Sequence, residues 1–503
     1  MAINYAAIFN RRRTPQSQPI PGSAQVPNSA GGFVWALDDW ARLDRFLILG
    51  AEGGTYYLGE RKLIEQNHEA VVRCVKLDGM RTLDRIVAIS DAGRAPKNDP
   101  AIFALALAVT HGVPEVRAHA FARLGEVCRT GTHLFHFAEY VNHLRGWGRG
   151  LRSAVGRWYV NRAAADLAHQ AVKYQQRDGW SHGDLLRLAH PKAPSAEHEA
   201  VFRWMLAGAG SGVLGEREVK RRVRGEVRVA KYAAAGALPA LIDAFEQAKR
   251  ATTAAEIVKL IEAHDLPREA VPTQWLNEMS VWAALLPRMP LNALIRNLGK
   301  MTSVGLVQSL GEAKQLVLRK LEDAAALKRA RLHPLAILVA QKVYAQGHGD
   351  KGSLRWQPVN AVVAALDEAF YAAFANVQPA GKPVLLALDV SGSMAASMIA
   401  GTCLSAREAS AAMALVTAAT EADYEIIAFS AGTGGYGGMH GGGEPGITRV
   451  KLTPRMRLDE VVKTVSAIPM GGTDCALPML WAARQRLHVA GFVTYTDNET
   501  WAG

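Results

Sequence analysis

Asp389, Ser391 and Ser393 alternate within Asp389-Val390-Ser391-Gly392-Ser393-Met394, so one carboxylate and two hydroxyls can converge on a single centre from a tight turn. Hard oxygen donors of this kind suit Mg²⁺ or Mn²⁺, and Ca²⁺ less well because it takes more ligands. Two later segments can complete the set: Gly471-Gly472-Thr473-Asp474 supplies Thr473, and Tyr495-Thr496-Asp497 supplies Asp497. The competing reading is that Asp389 and Ser391 cap the helix that follows, or that hydrogen bonds alone hold the cluster together. No general base or nucleophile stands beside these residues. An open coordination position there would attract an acidic group of a partner, which favours recognition over hydrolysis.

A second group is cationic and aromatic. Lys173, Arg177, Arg187 and His190 surround Tyr174 and Trp180 in the sequence, combining fixed charge, forked donors and a ring able to stack or donate. That chemistry suits RNA phosphates and unpaired bases. The alternative places Trp180 in a core and the cations on a solvated helix face. Arg145, Trp147, Arg149, Arg152, Arg157 and Trp158 interleave charge with aromatics in a similar way, and Lys220, Arg221, Arg222, Arg224 and Arg228 form a denser basic run, although surface helices often carry such patterns. His133, His136 and His143 could share a helical face with Tyr140 near Glu139. His133 and His143 are separated by almost three turns, about 15 Å, so at most a neighbouring pair could reach one ion, and histidines satisfied within the fold are favoured.

The elements that position these residues differ along the chain. From Trp35 to about Asn376, apolar residues recur at three- and four-residue spacing, as in Leu43, Phe46 and Leu47 or Ile257, Leu260 and Ile261. Turn signals at Gly50 to Gly54, Gly93 to Pro100 and Gly208 to Gly212 break the pattern into helix pairs, the arrangement that stacks into an irregular helical-repeat array. Residues 1–30 are rich in Pro, Gln, Ser and Asn and read as an extended arm leading into a helical domain over 31–376. Near residue 380 the pattern changes. Val384 to Leu388, Ala406 to Thr420, Glu425 to Phe429, a further helical stretch and Gly491 to Tyr495 read as strand, helix, strand, helix, strand, which predicts an α/β domain over 377–503 with a parallel sheet. Ligands of such sheets bind outside the carboxyl ends of the strands, where Asp389 falls. Gly432 to Gly446 holds nine glycines in fifteen residues but no Lys-Ser or Lys-Thr follows, so it reads as a flexible loop and not as a phosphate-binding loop.

At 503 residues the chain needs more than one core, and its composition, 49% hydrophobic and 21% charged, is that of folded proteins. The longest apolar run, Ala101 to Val109, falls short of the roughly 20 residues of a membrane span. Arg11 to Arg13 precede no apolar stretch, so no secretory or twin-arginine signal is built there and a cytoplasmic protein is expected. Cys74, Cys128, Cys403 and Cys475 are spaced like neither a disulfide framework nor a zinc ribbon. Residues 381–503 carry 9 Lys and Arg against 11 Asp and Glu, whereas residues 1–380 carry 49 against 35. The basic surplus therefore belongs to the helical part, where it attracts polyanions in a salt-sensitive way.

Several motifs together carry a family resemblance: Arg45-Phe46-Leu47-Ile48-Leu49-Gly50 with Gly54-Thr55-Tyr56-Tyr57-Leu58; Gly93 to Pro100; Arg145 to Arg152; Lys173-Tyr174-Gln175-Gln176-Arg177-Asp178-Gly179-Trp180-Ser181-His182; Asp184 to Lys192; Arg296-Asn297-Leu298; and Gly471-Gly472-Thr473-Asp474-Cys475. With these, nearly the whole chain resembles the TROVE-domain Ro ribonucleoproteins. The resemblance implies a mainly α ring of HEAT-like repeats closed by a von Willebrand factor A-like domain. It further implies a non-catalytic protein that binds Y RNA on its outer surface and single-stranded ends of misfolded RNA in a central hole. A 3′-to-5′ exoribonuclease, polynucleotide phosphorylase, is the implied partner in RNA quality control. Carried over by position, the implied RNA contacts are Lys173, Arg177 and His190, with His182, Arg187, Arg149 and Arg152 beside them. Asp389, Ser391, Ser393, Thr473 and Asp497 resemble the metal-ion-dependent adhesion site of A domains. The alternative function is a metal-dependent protein-interaction scaffold, and a nuclease using a metal on Asp389 and Asp497 is more remote. Only six residues follow Asp497, whereas an A domain ordinarily continues through another helix and strand, so an uncovered sheet edge or face is expected.

Overall fold

The computed structural model describes residues 17–27, 31–50, 60–95, 97–207, 217–223, 226–232, 237–349, 352–399, 402–430, 446–454 and 456–497. Much of the expected arm, the turn at 51–54, residues 208–212 and all but the last residue of the glycine-rich loop lie outside them. The chain divides into two compact units, one of Asp38–Ala51 and Ile64–Arg288 and one of the remainder.

The first unit is helical, as its periodicity requires. Helix α1 (Asp99–His111) starts at Asp99-Pro100 and ends at Gly112, and Ala101, Ile102 and Ala104 to Val109 are all buried along it. This nine-residue apolar run is thus a core helix, buried on nearly every side. Helix α2 (Gly131–Arg145) packs against it, capped by the Thr130 side chain, which accepts from the His133 amide at 3.3 Å. Helices α3 (Arg149–Val160) and α4 (Ala164–Lys173) follow. A two-pair hairpin, β1 (Gln176–Arg177) and β2 (Trp180–Ser181), then leads into α5 (His182–Ala189).

The basic run near residue 222 departs from the helical expectation. It forms an antiparallel ribbon, β3 (Arg217–Val223) against β4 (Glu226–Tyr232), with Lys220 opposite Val229 and Arg221 opposite Arg228. Its valines at 219, 223 and 227 recur at the four-residue spacing of a helix, so the spacing does not signal the strands.

In the second unit, helices α6 (Pro334–Ala345) and α7 (Asn360–Ala372) pack with an α/β fold. Strand β5 (Val384–Asp389) is central. Helix α8 (Ala406–Thr420) connects it to β6 (Tyr424–Phe429), β7 (Ile447–Arg449) follows, and helices α9 (Leu458–Ser466) and α10 (Leu477–Arg484) precede β8 (Gly491–Tyr495). The sheet order is β8-β5-β6-β7. The first three strands are parallel, but β7 runs antiparallel to β6, so the sheet is mixed and not wholly parallel. A strand of three residues leaves too little apolar pattern to read. Leu385 and Ala387 of β5 pack with Ile427, Phe429 and Trp481, which places the strand in the core. Lys342 of α6 pairs with Glu408 of α8, Arg457 pairs with Asp367 and Glu368 of α7, and the Leu458 amide donates to the Tyr371 hydroxyl at 2.8 Å. Burial raises the Glu408 carboxyl, but hydrogen bonds from Lys342 and Ser405 outweigh it and hold the group below its ordinary value. Among the described residues, no helix is long and apolar enough to cross a membrane.

Candidate functional site

The cationic group is assembled where α4 ends and α5 begins. Lys173 occupies the last turn of α4, its Nζ 5.5 Å from the Tyr174 ring centre. The chain then reverses through Asp178 and Gly179, both at positive φ (52° and 79°), which sets Arg177 opposite Trp180. Arg177 is exposed, with its Nε 3.8 Å from Asp178. Helix α2 anchors both sides of the turn. Asp178 pairs with Nδ1 of the buried His136, whose Nε2 lies 3.5 Å from Asp99, and the Trp180 Nε1 donates to Glu139 at 2.7 Å. The Trp180 ring stacks on Trp147 at 5.9 Å and 22°. A capping box then starts α5: the Asp184 amide donates to the Ser181 hydroxyl at 3.3 Å, and the Ser181 amide donates back to the Asp184 carboxylate at 3.1 Å.

At the other end of α5, His190 is exposed and caps the helix in the left-handed region at φ 48°. Arg152 of α3 donates to the Ala189 carbonyl at 3.2 Å, one of the orphan acceptors that a helix end leaves. Arg149, the first residue of α3, is exposed. Arg187 donates to Asp184 at 3.1 Å and to the Leu206 carbonyl at 2.8 Å, so its guanidinium already has internal partners.

His182 does not belong to this surface, contrary to the expectation that it contacts RNA. Its ring is 3% exposed, hydrogen-bonded through Nδ1 to the Tyr159 hydroxyl at 2.8 Å and packed edge-on to Phe135 at 4.8 Å. Burial drives its pKa down to about 4 and does the same to His133. His136 is likewise satisfied by carboxylates. Among the described residues, no group of three His, Cys, Asp or Glu side chains is placed to hold a metal, so His133, His136 and His143 form no such centre. Trp158 is also core, donating through Nε1 to the Cys128 carbonyl at 2.6 Å beneath the Arg162 guanidinium, which lies 3.6 Å from its ring centre.

The oxygen cluster gathers at the carboxyl ends of β5 and β8. Asp389 is 1% exposed; it accepts from the Ser391 amide at 2.7 Å, the Thr473 hydroxyl at 3.2 Å and the Thr496 hydroxyl at 2.6 Å. The Ser391 and Ser393 hydroxyls are 3.1 Å apart, and Ser393 donates to Asp497 Oδ1 at 3.1 Å. The second Asp497 oxygen is buried without a hydrogen-bond partner. All five expected residues therefore meet. Two contributors were missed by sequence reasoning. Thr496 was signalled only by its place beside Asp497, and Arg407, a buried cation donating to the Ser391 carbonyl at 3.2 Å, gave no sequence signal because the contact is made only by the fold.

The fold and the two sites together define a helical-array protein with a cationic, aromatic ledge, joined to an A-type α/β domain with an oxygen-lined strand end. The TROVE domain matches residues 26–343 and the Ro60 vWA domain matches residues 383–503. RNA-binding protein RO60 of Deinococcus radiodurans is 40% identical over 504 residues, covering 99% of this chain and 88% of that protein. Its namesake in Caenorhabditis elegans is 35% identical over 552 residues, covering 98% and 83%. The crystal structure of the Deinococcus radiodurans RO (RSR) protein superposes with a TM-score of 0.74 at 40% identity, covering 93% of this chain and 87% of that one. The chain belongs to the TROVE-domain Ro60 family.

The His182 environment has two measurable consequences. An unfolded chain protonates His182 near its ordinary pKa of 6.5, well before the folded chain does at about 4. Stability is therefore full above about pH 6.5 and declines between 6.5 and 4, this residue contributing on the order of 3 kcal/mol. Denaturant titrations from pH 7 to 4.5 should show the decline, and His182→Gln should flatten it in part. A Cβ on Gly131 would stand 2.9 Å from the His182 ring, which Tyr159 and Phe135 prevent from shifting. Gly131→Ala should lower unfolding free energy by about 1–3 kcal/mol.

Proposed function

We propose that the protein is a non-catalytic RNA-binding protein of a small ribonucleoprotein, holding a Y-like RNA and the single-stranded ends of misfolded RNA for quality control or processing with a 3′-to-5′ exoribonuclease such as polynucleotide phosphorylase. The single observation that carries the RNA reading is the anchored turn, which holds Arg177 exposed and in register with Trp180, whose ring stacks on Trp147. His190 and Arg149 add exposed donors on neighbouring elements. The names of the two relatives and the basic surplus before residue 381 point the same way. Lys173 and Arg177 neutralise phosphates, and His190 stacks on or donates to unpaired bases. Arg152 and Arg187 support the shape of the site through the helix end and the loop they bond.

The test is RNA binding by the whole chain. Lys173→Ala with Arg177→Ala should weaken binding of a stem–loop RNA with a single-stranded 3′ tail by about tenfold or more and make the salt dependence shallower by about two in log–log slope. Blunt duplex should compete poorly with the tailed RNA. RNA should emerge intact from prolonged incubation with Mg²⁺; cleavage would sink the non-catalytic reading.

A second reading, a metal-dependent protein-interaction scaffold, has its own observation: the buried, partnerless oxygen of Asp497 within an all-oxygen set. That donor set fits a hard divalent cation, Mg²⁺ first, with Asp389, Ser391, Ser393, Thr473 and Asp497 holding it. When bound, the ion would supply a Lewis-acidic position for a partner's carboxylate. Asp389 keeps the three loops in register, and Asp497 offers the oxygen still free to coordinate. Isothermal titration should detect Mg²⁺ or Mn²⁺ binding that Asp497→Asn abolishes while far-UV circular dichroism stays unchanged.

A further inference from the structure

In the second unit, faces of α6, α7 and α9 line a cavity of about 780 Å³ that neither the ledge nor the oxygen cluster uses. Helix α6 contributes Leu338, Gln341 and Lys342, and α7 contributes Asn360, Val363, Ala364 and Asp367, at the three- and four-residue spacing that sets side chains on one face. Helix α9 adds Leu458 and Val462, so the walls are largely aliphatic. The polar groups fall into two sets. Lys342 is held by Glu408, and Arg457 by Asp367 and Glu368. Among the described residues, the side chains of Gln341, Asn360, Asp459 and Lys463 have no hydrogen-bond or ion-pair partner. The surrounding contacts fix their places. The Val359 amide donates to the Tyr344 hydroxyl at 3.3 Å, which brings Asn360, at the start of α7, beside the turn of α6 that follows Gln341. Asp367 stands two turns further along α7, about 10 Å away, and there Arg457 docks the start of α9. The two carboxamides therefore share one end of the cavity, while Asp459 begins the other with Lys463 one turn beyond it.

We infer that this cavity binds a free purine ribonucleoside monophosphate, with the base against Gln341 and Asn360, the ribose hydroxyls at Asp459 and the phosphate at Lys463. The unpartnered groups match the three parts of one molecule. A carboxamide presents a donor beside an acceptor, the pattern that pairs with the N6–H and N7 edge of adenine. Aliphatic walls cover the faces of a flat ring, the usual lining of a small-molecule pocket of this size. A carboxylate accepts from ribose hydroxyls, and a lysine ammonium is a point charge for a phosphate. Charge sets how many phosphates are held. The lining cations Lys342, Arg457 and Lys463 are balanced by Asp367, Glu408 and Asp459, so one unpaired ammonium meets one phosphate and no surplus exists to hold a strand of RNA. The inference is independent of the RNA-binding reading.

Isothermal titration of the whole chain with adenosine 5′-monophosphate, adenosine and cytidine 5′-monophosphate tests it. The adenine nucleotide should bind with a Kd below about 1 mM, and the cytosine nucleotide at least about fivefold more weakly. Gln341→Ala with Asn360→Ala should weaken adenosine and its monophosphate alike, by about tenfold or more. Lys463→Gln should weaken the monophosphate about fivefold and leave adenosine within about twofold of wild type. Since these side chains have no partners in the fold, melting temperatures should stay unchanged; if the double variant melts lower, Val363→Phe, which fills the cavity without altering a charge, is held to the same loss. Lys173→Ala with Arg177→Ala should keep full affinity for the monophosphate. Absence of binding at about 1 mM, equal affinity for the two nucleotides, affinity unchanged in the folded cavity variants, or binding lost in the Lys173 and Arg177 variant would each overturn the inference and leave the RNA reading standing. A wild-type chain that binds the monophosphate but no tailed RNA supports the inference and overturns the RNA reading alone.

Discussion

A hairpin with only two cross-strand residue pairs cannot hold a conformation in water on its own, so the position of Arg177 rests on the helix beneath it. Asp178 and Trp180 reach down to His136 and Glu139, which lie three residues apart on α2 and so face the same side of the helix. His136 is itself held from behind by Asp99, at the start of the most deeply buried helix of the unit. The chain of contacts runs from core to surface. Rigid α1 fixes the imidazole, the imidazole fixes the turn, and the turn aims the guanidinium. An anion meeting Arg177 would then not bear the cost of ordering a free loop, which for a few residues would amount to several kcal/mol.

The same logic, with the opposite charge, governs the end of β5. A carboxylate that is 1% exposed must be paired or hydrogen-bonded, and Asp389 is met by donors from three separate segments: its own turn, the Thr473 loop and the end of β8. Asp389 is therefore an organiser. Its oxygens bring together loops that the sequence separates by 84 and 107 residues. Asp497 differs because only one of its two oxygens is used, by Ser393, and the other has been removed from water without compensation. The two aspartates of one motif set thus have different tasks, which their identical side chains could not reveal.

How much was legible in the sequence follows from how local each signal is. The Asp389-x-Ser391-x-Ser393 turn was readable because its spacing alone makes the oxygens converge, and the change from helical to strand periodicity near residue 380 marked the α/β fold. The edge strand Ile447–Arg449 was not, since three residues cannot display a period. His182 was misread because a histidine beside Trp180, Arg177 and Lys173 has the residue type of a binding surface. What buries it is Tyr159, 23 residues away, and Phe135, on another helix. The ribbon at 217–232 was misread for a different reason: its valines at 219, 223 and 227 stand four residues apart, as on a helix, so periodicity pointed away from the strands that form.

Helix α8 joins the oxygen cluster to the helices of its own unit through two adjacent residues. Arg407 donates to the Ser391 carbonyl, and Glu408, next in the chain, closes the capping box with Ser405 and pairs with Lys342 of α6. Neighbouring positions at the first turn of a helix point in different directions, about 100° apart, which is what lets one turn serve two clients. A buried guanidinium cannot be left unpaired cheaply, and neither can the Glu408 carboxylate facing it from the far side of the turn. The start of α8 is consequently over-determined: moving the Ser391 loop pulls on Arg407, and moving Arg407 disturbs the cap that orients Glu408 toward α6. Two adjacent side chains at the start of α8 thus tie the oxygen cluster to α6.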